Sequence, residues 1–411
     1  MHPRRNLTLL AGMALLQGMV FYSPVATLYR VQFGLPLSQF FIIEALSWGL
    51  TMLSELPWGL VADRIGYKRT LVWGYGLLVA TKVIFALADG FGGFLAERLL
   101  LALAIGAISG CDAALVHQSA PSGGSARAFA RLRASGLAGL IVASLASPFL
   151  AAWSLRATAW ATVPPYALAW ILSWFLVAPA RAALAAPAAP VAPMAPTGPQ
   201  QPRIRRHPLR IRRRLVMAAS RLFGRGLRWP LALAALALMA ELAHLVVIFL
   251  SQLQYQRAGI PQGAFGLLFL VLHGLPMAVL ALLPASFGRR PQRSLAWSGV
   301  LASAAVAVLF LQANPLVSVA ALADLATVAQ VQGSLNAAWQ NASIRNNAGR
   351  AAALSVYALW GEGVAAAGNG LLGSLSAAGL LPALGTAAVL MALATLCLVV
   401  WPVRHESGLG K

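Results

Sequence analysis

Glu241 and His244 stand three residues apart, and the run before them reads Ala-Leu-Ala-Leu-Met-Ala. On a helix that spacing puts a carboxylate and an imidazole on one face. An imidazole titrates near neutrality, so the pair can exchange a proton or hold a cationic ligand; a static bond between helices is the competing reading. Other charges are embedded in equally apolar stretches, where they are costly and usually face a cavity or each other. They are Glu44, Glu55, Lys82, Glu97, Arg98, Asp112, His273, Asp324 and Glu362, with Asn369 further along the same stretch as Glu362. Gln330, Asn336, Gln340 and Asn341 add uncharged hydrogen-bonding groups to the stretch that carries Asp324. Glu97-Arg98 also fits a pair of interface anchors, and Asp112 fits a helix cap or a gate partner for Arg127 or Arg131.

The same inventory excludes several chemistries. No nucleophile–base pair is visible, and the Gly-rich runs lack the Gly-Lys-Ser/Thr ending that cradles phosphates, so an enzyme is not expected. The histidines fall singly in different stretches; neither a metal centre nor a cofactor is expected, and His117 and His273 read as structural. Cys111 and Cys397 are too few for a disulfide framework. A net charge of +21 would suit nucleic acid, but the basic residues sit almost wholly in alternate loops, which argues against that partner.

The elements that must carry these groups are membrane-spanning helices. Of 411 residues, 59% are hydrophobic and only 10% charged, with a mean hydropathy of +0.75. Spans of roughly 20 apolar residues recur along nearly the whole chain. They read as 7–29, 40–62, 70–88, 92–118, 127–152 and 157–178, then 229–254, 262–283, 294–312, 315–341, 350–375 and 379–402. Residues 1–179 form one six-helix half, 180–228 a linker, and 229–411 a second half. Arg4, Arg5, Arg64, Lys68, Arg69, Arg127, Arg131, Arg133, the linker, Arg289, Arg290, Arg293, Arg345, Arg350, Arg404 and Lys411 fall on one side. Arg30, Arg156 and Arg257 fall in loops on the other, so both termini are expected in the cytoplasm of a bacterial inner membrane.

The linker is Ala/Pro-rich from Ala185 to Pro202, where proline forbids a sustained helix. From Arg203 to Arg228 it holds ten arginines, with Ile211, Leu215, Ala218 and Leu222 at helical spacing. That pattern fits an amphipathic helix on anionic lipid, and equally a solvated basic linker that fixes topology. The halves look like distant copies. Ser109-Gly110-Cys111-Asp112-Ala113-Ala114-Leu115 in the fourth span matches Gly333-Ser334-Leu335-Asn336-Ala337-Ala338-Trp339 in the tenth.

Between the second and third spans the chain reads Gly59-Leu60-Val61-Ala62-Asp63-Arg64-Ile65-Gly66-Tyr67-Lys68-Arg69. Gly59 would allow close backbone approach and Gly66 a positive φ. Asp63 is placed to accept from the N-terminus of a neighbouring helix. This segment fills every fixed position of the pattern Gly-x-x-x-Asp-Arg-x-Gly-x-Lys-Arg, and on it the chain resembles the major facilitator superfamily; Ser109-Gly110-x-Asp112-x-Ala114-Leu115 in the fourth span and Glu55-x-Pro57-x-Gly59 before the loop look like a drug-efflux-like bacterial branch. The resemblance implies an all-α membrane protein of twelve transmembrane helices in two pseudo-symmetric six-helix bundles. It implies that Gly59, Asp63, Arg64, Gly66, Lys68 and Arg69 form a gating loop, with Asp63 latching the cytoplasmic side. The second-half echo, Leu283 to Arg290, has Ala285 where the acid would stand, so the latch is expected on one side only. The fifth span carries Gly136, Gly139 and Pro148 in place of the Gly-Pro-x-x-Gly-Gly motif of proton-coupled drug exporters, a departure that weakens antiport.

In that superfamily the first, fourth, seventh and tenth helices line the central path. The resemblance therefore implies a substrate or proton path through Arg98, Asp112, Glu241, His244, Asp324 and Asn336. The expected activity is secondary transport by alternating access, as a monomer, exporting a small amphipathic or drug-like compound in exchange for protons. An uptake permease or facilitator for a polar metabolite is the alternative within the class. A lipid handler or membrane assembly partner is the alternative outside it.

Overall fold

Lipid offers no partners for backbone N–H and C=O groups, so a chain this apolar must satisfy them within its own helices. The computed structural model describes residues 2–120, 124–177, 227–282, 291–343, 350–375 and 379–400, and among them there is no strand. The basic segment read at 203–228 lies outside them apart from Leu227 and Arg228, as do Ala285 and its neighbours, Arg345, Arg404 and Lys411.

Twelve helical passes run through the described residues. The first is His2–Gly18 and Ala26–Gln32, and the second and third are Leu37–Ile65 and Tyr67–Leu87. The fourth is Gly90–Ile108 and Cys111–Ser119, followed by Ser125–Trp153 and Leu155–Trp174. The seventh is Arg228–Leu245, continued through Val246–Leu250 into Ser251–Arg257. Phe265–Leu282, Pro291–Leu311, Pro315–Ser343, Arg350–Leu375 and Leu380–Val400 complete the set. Ten of these passes are long and apolar enough to cross a membrane. The other two, Leu155–Trp174 and Arg350–Leu375, are 20 and 26 residues long. At about 1.5 Å per residue both can cross. They are diluted by Trp, Pro and Thr in one and by Gly, Ser and Glu362 in the other.

The chain divides into two compact units, one holding passes one to six with Gln262–Leu270, the other holding the rest of the second half. In the first unit, Leu10, Met13, Leu71, Tyr75, Leu78, Leu115 and Tyr166 form the core. In the second, the Trp229 ring lies 4.6 Å from that of Trp339, tilted by 51°, and meets Tyr357 edge-on at 5.7 Å, with Leu236 and Leu295 beside them.

Glycine sets the closest helix contacts. Passes one and five pack so tightly that a Cβ on Gly139 would collide with the Leu15 carbonyl, and one on Gly18 with the Gly136 carbonyl. The fifth-span glycines therefore serve backbone approach, the usual task of small residues between membrane helices. Gly59, expected to do the same, is exposed, and a Cβ there would meet nothing within 4 Å. Gly66 is the single residue joining passes two and three, at φ 89° and ψ 151°, a region open essentially to glycine alone.

These two helical glycines should respond oppositely to the same change. Gly139→Ala is expected to lower the melting temperature of the detergent-purified protein, because the added carbon meets backbone that cannot yield. Gly59→Ala should leave it unchanged or raise it, by up to about 1 kcal/mol of helix preference. Equal shifts in thermal unfolding would contradict this packing.

Candidate functional site

One end of the first unit is closed by its turns. The Gly90 N–H donates to the Phe33 carbonyl at 2.7 Å. Arg156 pairs with Asp89 at 2.7 Å while its guanidinium lies 4.4 Å from the Phe33 ring centre. Deeper in the unit sits a cluster of buried charge. Glu97 and Arg98 are neighbours on the fourth pass, so their side chains leave the helix about 100° apart and reach different partners. Arg98 bonds Glu44 of the second pass through Nε at 2.7 Å and through its terminal nitrogen. Glu97, 1% exposed, faces Arg30 of the first pass at 3.9 Å, and neither of its oxygens accepts a hydrogen bond. Through Arg30 and Glu44 the two neighbours tie three passes together.

Arg30 is a correction. Read as a loop residue, it lies in the helix Ala26–Gln32 and is buried. Its guanidinium sits 5.4, 5.0 and 6.0 Å from the ring centres of Phe40, Phe85 and Phe94. The ring faces replace part of the hydration it gives up. Lys82 of the third pass, 5% exposed, donates from Nζ to the Tyr22 hydroxyl at 2.9 Å and lies 4.8 Å from the Tyr166 ring centre. Tyr22 stacks on Phe85 at 4.0 Å, so Lys82 and Arg30 share one aromatic core.

Tyr22 stands where the first pass is interrupted, between Gly18 and the short turn Ser23–Val25. The sixth pass satisfies the freed backbone there. Tyr166 donates to the Gln17 carbonyl at 2.9 Å, and Thr162 accepts from the Phe21 N–H at 3.1 Å. No local pattern announced Thr162 or Tyr166, because their partners lie more than 140 residues away.

In the second unit Glu241 is buried on the seventh pass and accepts from the Asn369 amide of the eleventh at 2.6 Å. Asn369 also donates to the Ala365 carbonyl at 3.0 Å. His244 is exposed, with its ring 5.7 Å from Phe249, so the expected pair occupies two environments. The seventh pass is the most enclosed span, 67% buried, and His244 lies on its narrow open strip with Ala240. One residue beyond the helix that carries both, the chain widens into a π-turn over Val246–Leu250, an irregularity that recurs at functional positions. On the tenth pass Asp324, Gln330 and Ser334 are exposed along one side. Asn336 is partly buried and accepts from Gln340 at 3.2 Å.

Asp112 accepts from the Ala113 N–H at 2.6 Å in the first turn of Cys111–Ser119, after Gly110 at φ 80°. It makes no ion pair among the described residues, and Arg127 and Arg131 are exposed. The matched Gly333-Ser334 stretch runs through an unbroken helix, so the copies differ in backbone as well as in charge. Along the fourth pass Arg98 and Asp112 are 14 residues and about 20 Å apart, too far to share one ligand group. In the loop, Asp63, Arg64 and Arg69 are exposed and Lys68 is partly buried.

Residues 7–369 match the family model described as Major Facilitator Superfamily. A search of curated proteins found no match. Among solved structures, the nucleoside transporter NupG superposes with a TM-score of 0.72 at 14% identity, covering 96% of this chain and 98% of that one. A bacterial homologue of the human lysosomal transporter Spinster, inward-facing and unoccupied, gives 0.63 at 17%, covering 97% and 95%. A POT family transporter in complex with 5-aminolevulinic acid gives 0.65 at 14%, covering 96% and 95%. Identities this low establish the fold.

The Glu44–Arg98 pair gives a double-mutant test. Glu44→Gln or Arg98→Met alone strands a buried charge and should destabilise by about 3–5 kcal/mol. The double variant should recover most of that in thermal unfolding. Additive losses would mean that the two side chains do not depend on each other.

Proposed function

The chain belongs to the major facilitator superfamily, a family of transporters and not of enzymes, and we propose that it is a secondary active transporter working by alternating access. It exports a small amphipathic compound in exchange for protons. The observation that supports proton coupling is Glu241, 6% exposed within the seventh pass and accepting from the Asn369 amide at 2.6 Å. An amide can serve either protonation state of a carboxyl group, donating to the ionised form and accepting from the protonated one. The π-turn that follows gives the seventh pass a place to yield when that state changes.

The gating loop belongs to the same reading. Gly66 holds passes two and three in a fixed turn, and Asp63 latches the end of the bundle that carries it. The basic segment 203–228 rests on anionic lipid of a bacterial inner membrane, both termini are cytoplasmic, and the protein works as a monomer. A second reading, uptake of a polar metabolite, draws support from the buried charge of the first unit, where Arg30, Lys82 and Arg98 outnumber Glu44 and Glu97.

Reconstituted vesicles distinguish coupling from gating. With an imposed pH gradient, Glu241→Gln should lose gradient-driven accumulation of substrate yet keep substrate exchange without a gradient. Asp63→Asn should insert and bind normally but lose both. Accumulation by Glu241→Gln at the parent rate would remove the coupling claim, and full activity of Asp63→Asn would remove the gate.

A further inference from the structure

Lys82 is the one cation of the first-unit cluster for which the described residues supply no counter-charge. Arg98 has Glu44 and Arg30 has Glu97, whereas Lys82 makes no ion pair among the described residues. An ammonium carries three N–H donors. One is used, on the Tyr22 hydroxyl at 2.9 Å. The phenol accepts that bond, so its own O–H remains to be given, and it has no acceptor among the described residues. Three protons thus converge on one spot with no acceptor among the described residues, in a neighbourhood where an unpaired charge is expensive. The faces of Tyr22 and Tyr166, 5.4 and 4.8 Å from Nζ, reduce that cost without providing an acceptor.

The cluster also counts to a net charge. Arg30, Lys82 and Arg98 against Glu44 and Glu97 leave one positive charge, which a monoanion neutralises and a dianion overshoots. Two oxygens on one carbon, sharing one negative charge, match an ammonium beside a phenol. We propose that Lys82 and the Tyr22 hydroxyl form a subsite for the carboxylate of the transported molecule, with Tyr22, Tyr166 and Phe85 as its aromatic surroundings. Access comes through the first pass itself. Tyr22 stands on Met19–Tyr22, which lies outside the regular helix and is held by single-turn bonds such as Val25 N–H to the Tyr22 carbonyl at 3.0 Å, so the phenol can turn about its own side-chain bonds while passes three and six hold their places.

The inference rests on the transport reading and names the class of its substrate, so it is tested by binding and not by flux. Purified full-length protein in detergent is titrated with benzoate, with benzamide, benzylamine and phenylphosphate as neutral, cationic and dianionic comparisons. Benzoate should raise the melting temperature in proportion to its occupancy while benzamide and benzylamine do not. Lys82→Met should weaken benzoate binding at least tenfold, and Lys82→Arg, which keeps the charge, should hold it within a few-fold. Should Lys82→Met not fold, Tyr22→Phe decides, with an expected loss of several-fold from removing one donor. No stabilisation by benzoate, stabilisation by phenylphosphate in its place, or benzoate affinity in Lys82→Met and Tyr22→Phe equal to the parent's would each overturn the proposal. Failure of the transport reading looks different: carboxylates bind, Lys82 matters, and vesicles move nothing.

Discussion

Inside a bilayer every charge and every free backbone group must find its partner within the protein, and the first unit is arranged around that demand. Arg30 shows how far the arrangement goes. A single carboxylate at 3.9 Å is a weak counter-charge for a buried guanidinium, since desolvation outweighs a long ion pair. Phe40, Phe85 and Phe94 supply the difference from passes two, three and four, so one side chain of the first pass fixes three neighbours. Tyr29 adds to this by donating to the carbonyls at the end of the third pass, Phe85 and Ala86, at 3.1 and 3.2 Å.

The same demand decides where a helix can be irregular. The first pass opens between Gly18 and Ser23 because Thr162 and Tyr166 take up the exposed backbone, and the seventh widens over Val246–Leu250 among buried neighbours. Where no such partners exist, the helices are continuous and close-packed. Gly139 against Leu15 in the first unit and Gly299 against Met239 and Thr395 in the second leave no room for a side-chain carbon. Among the described residues, the passes interrupted or widened within their length are the first, fourth and seventh, which also carry Tyr22, Asp112 and Glu241.

That division explains what the sequence could reveal. The helices were legible because a span of apolar residues has one structural solution in lipid, and the positive φ of Gly66 because a chain reversal beside an intact Asp-Arg-x-Gly pattern requires it. Glu241 was legible as a buried acid in an apolar run. Its partner was not, since nothing local to Asn369 indicates which face of the eleventh pass meets the seventh. Arg30 was misplaced for the related reason that its aromatic box is assembled from three helices. The interruption of the first pass was also hidden, because Gly18 and Pro24 are compatible with an ordinary membrane helix. The comparison of the two halves was informative only in part. Gly110 breaks the fourth pass, while the matching Gly333-Ser334 leaves the tenth continuous.

The charges of the two units are unlike, and the difference bears on energetics. The cluster of Arg30, Lys82 and Arg98 with Glu44 and Glu97 in the first unit is net positive, whereas the embedded groups of the second are Glu241, Asp324 and Glu362 with His244 and His273. If the first unit holds a monocarboxylate and the second exchanges a proton, export against proton entry moves one negative charge outward and one positive charge inward. Both movements run down an inside-negative potential, and at about 2.3 kcal/mol per charge per 100 mV they contribute about 4.6 kcal/mol per turnover. Uptake of the same anion with one proton is electrically silent and draws only on the pH difference. The direction of transport is therefore written in its electrical signature. An inward current during substrate-dependent proton flux belongs to the exporter, and proton flux without current belongs to the permease.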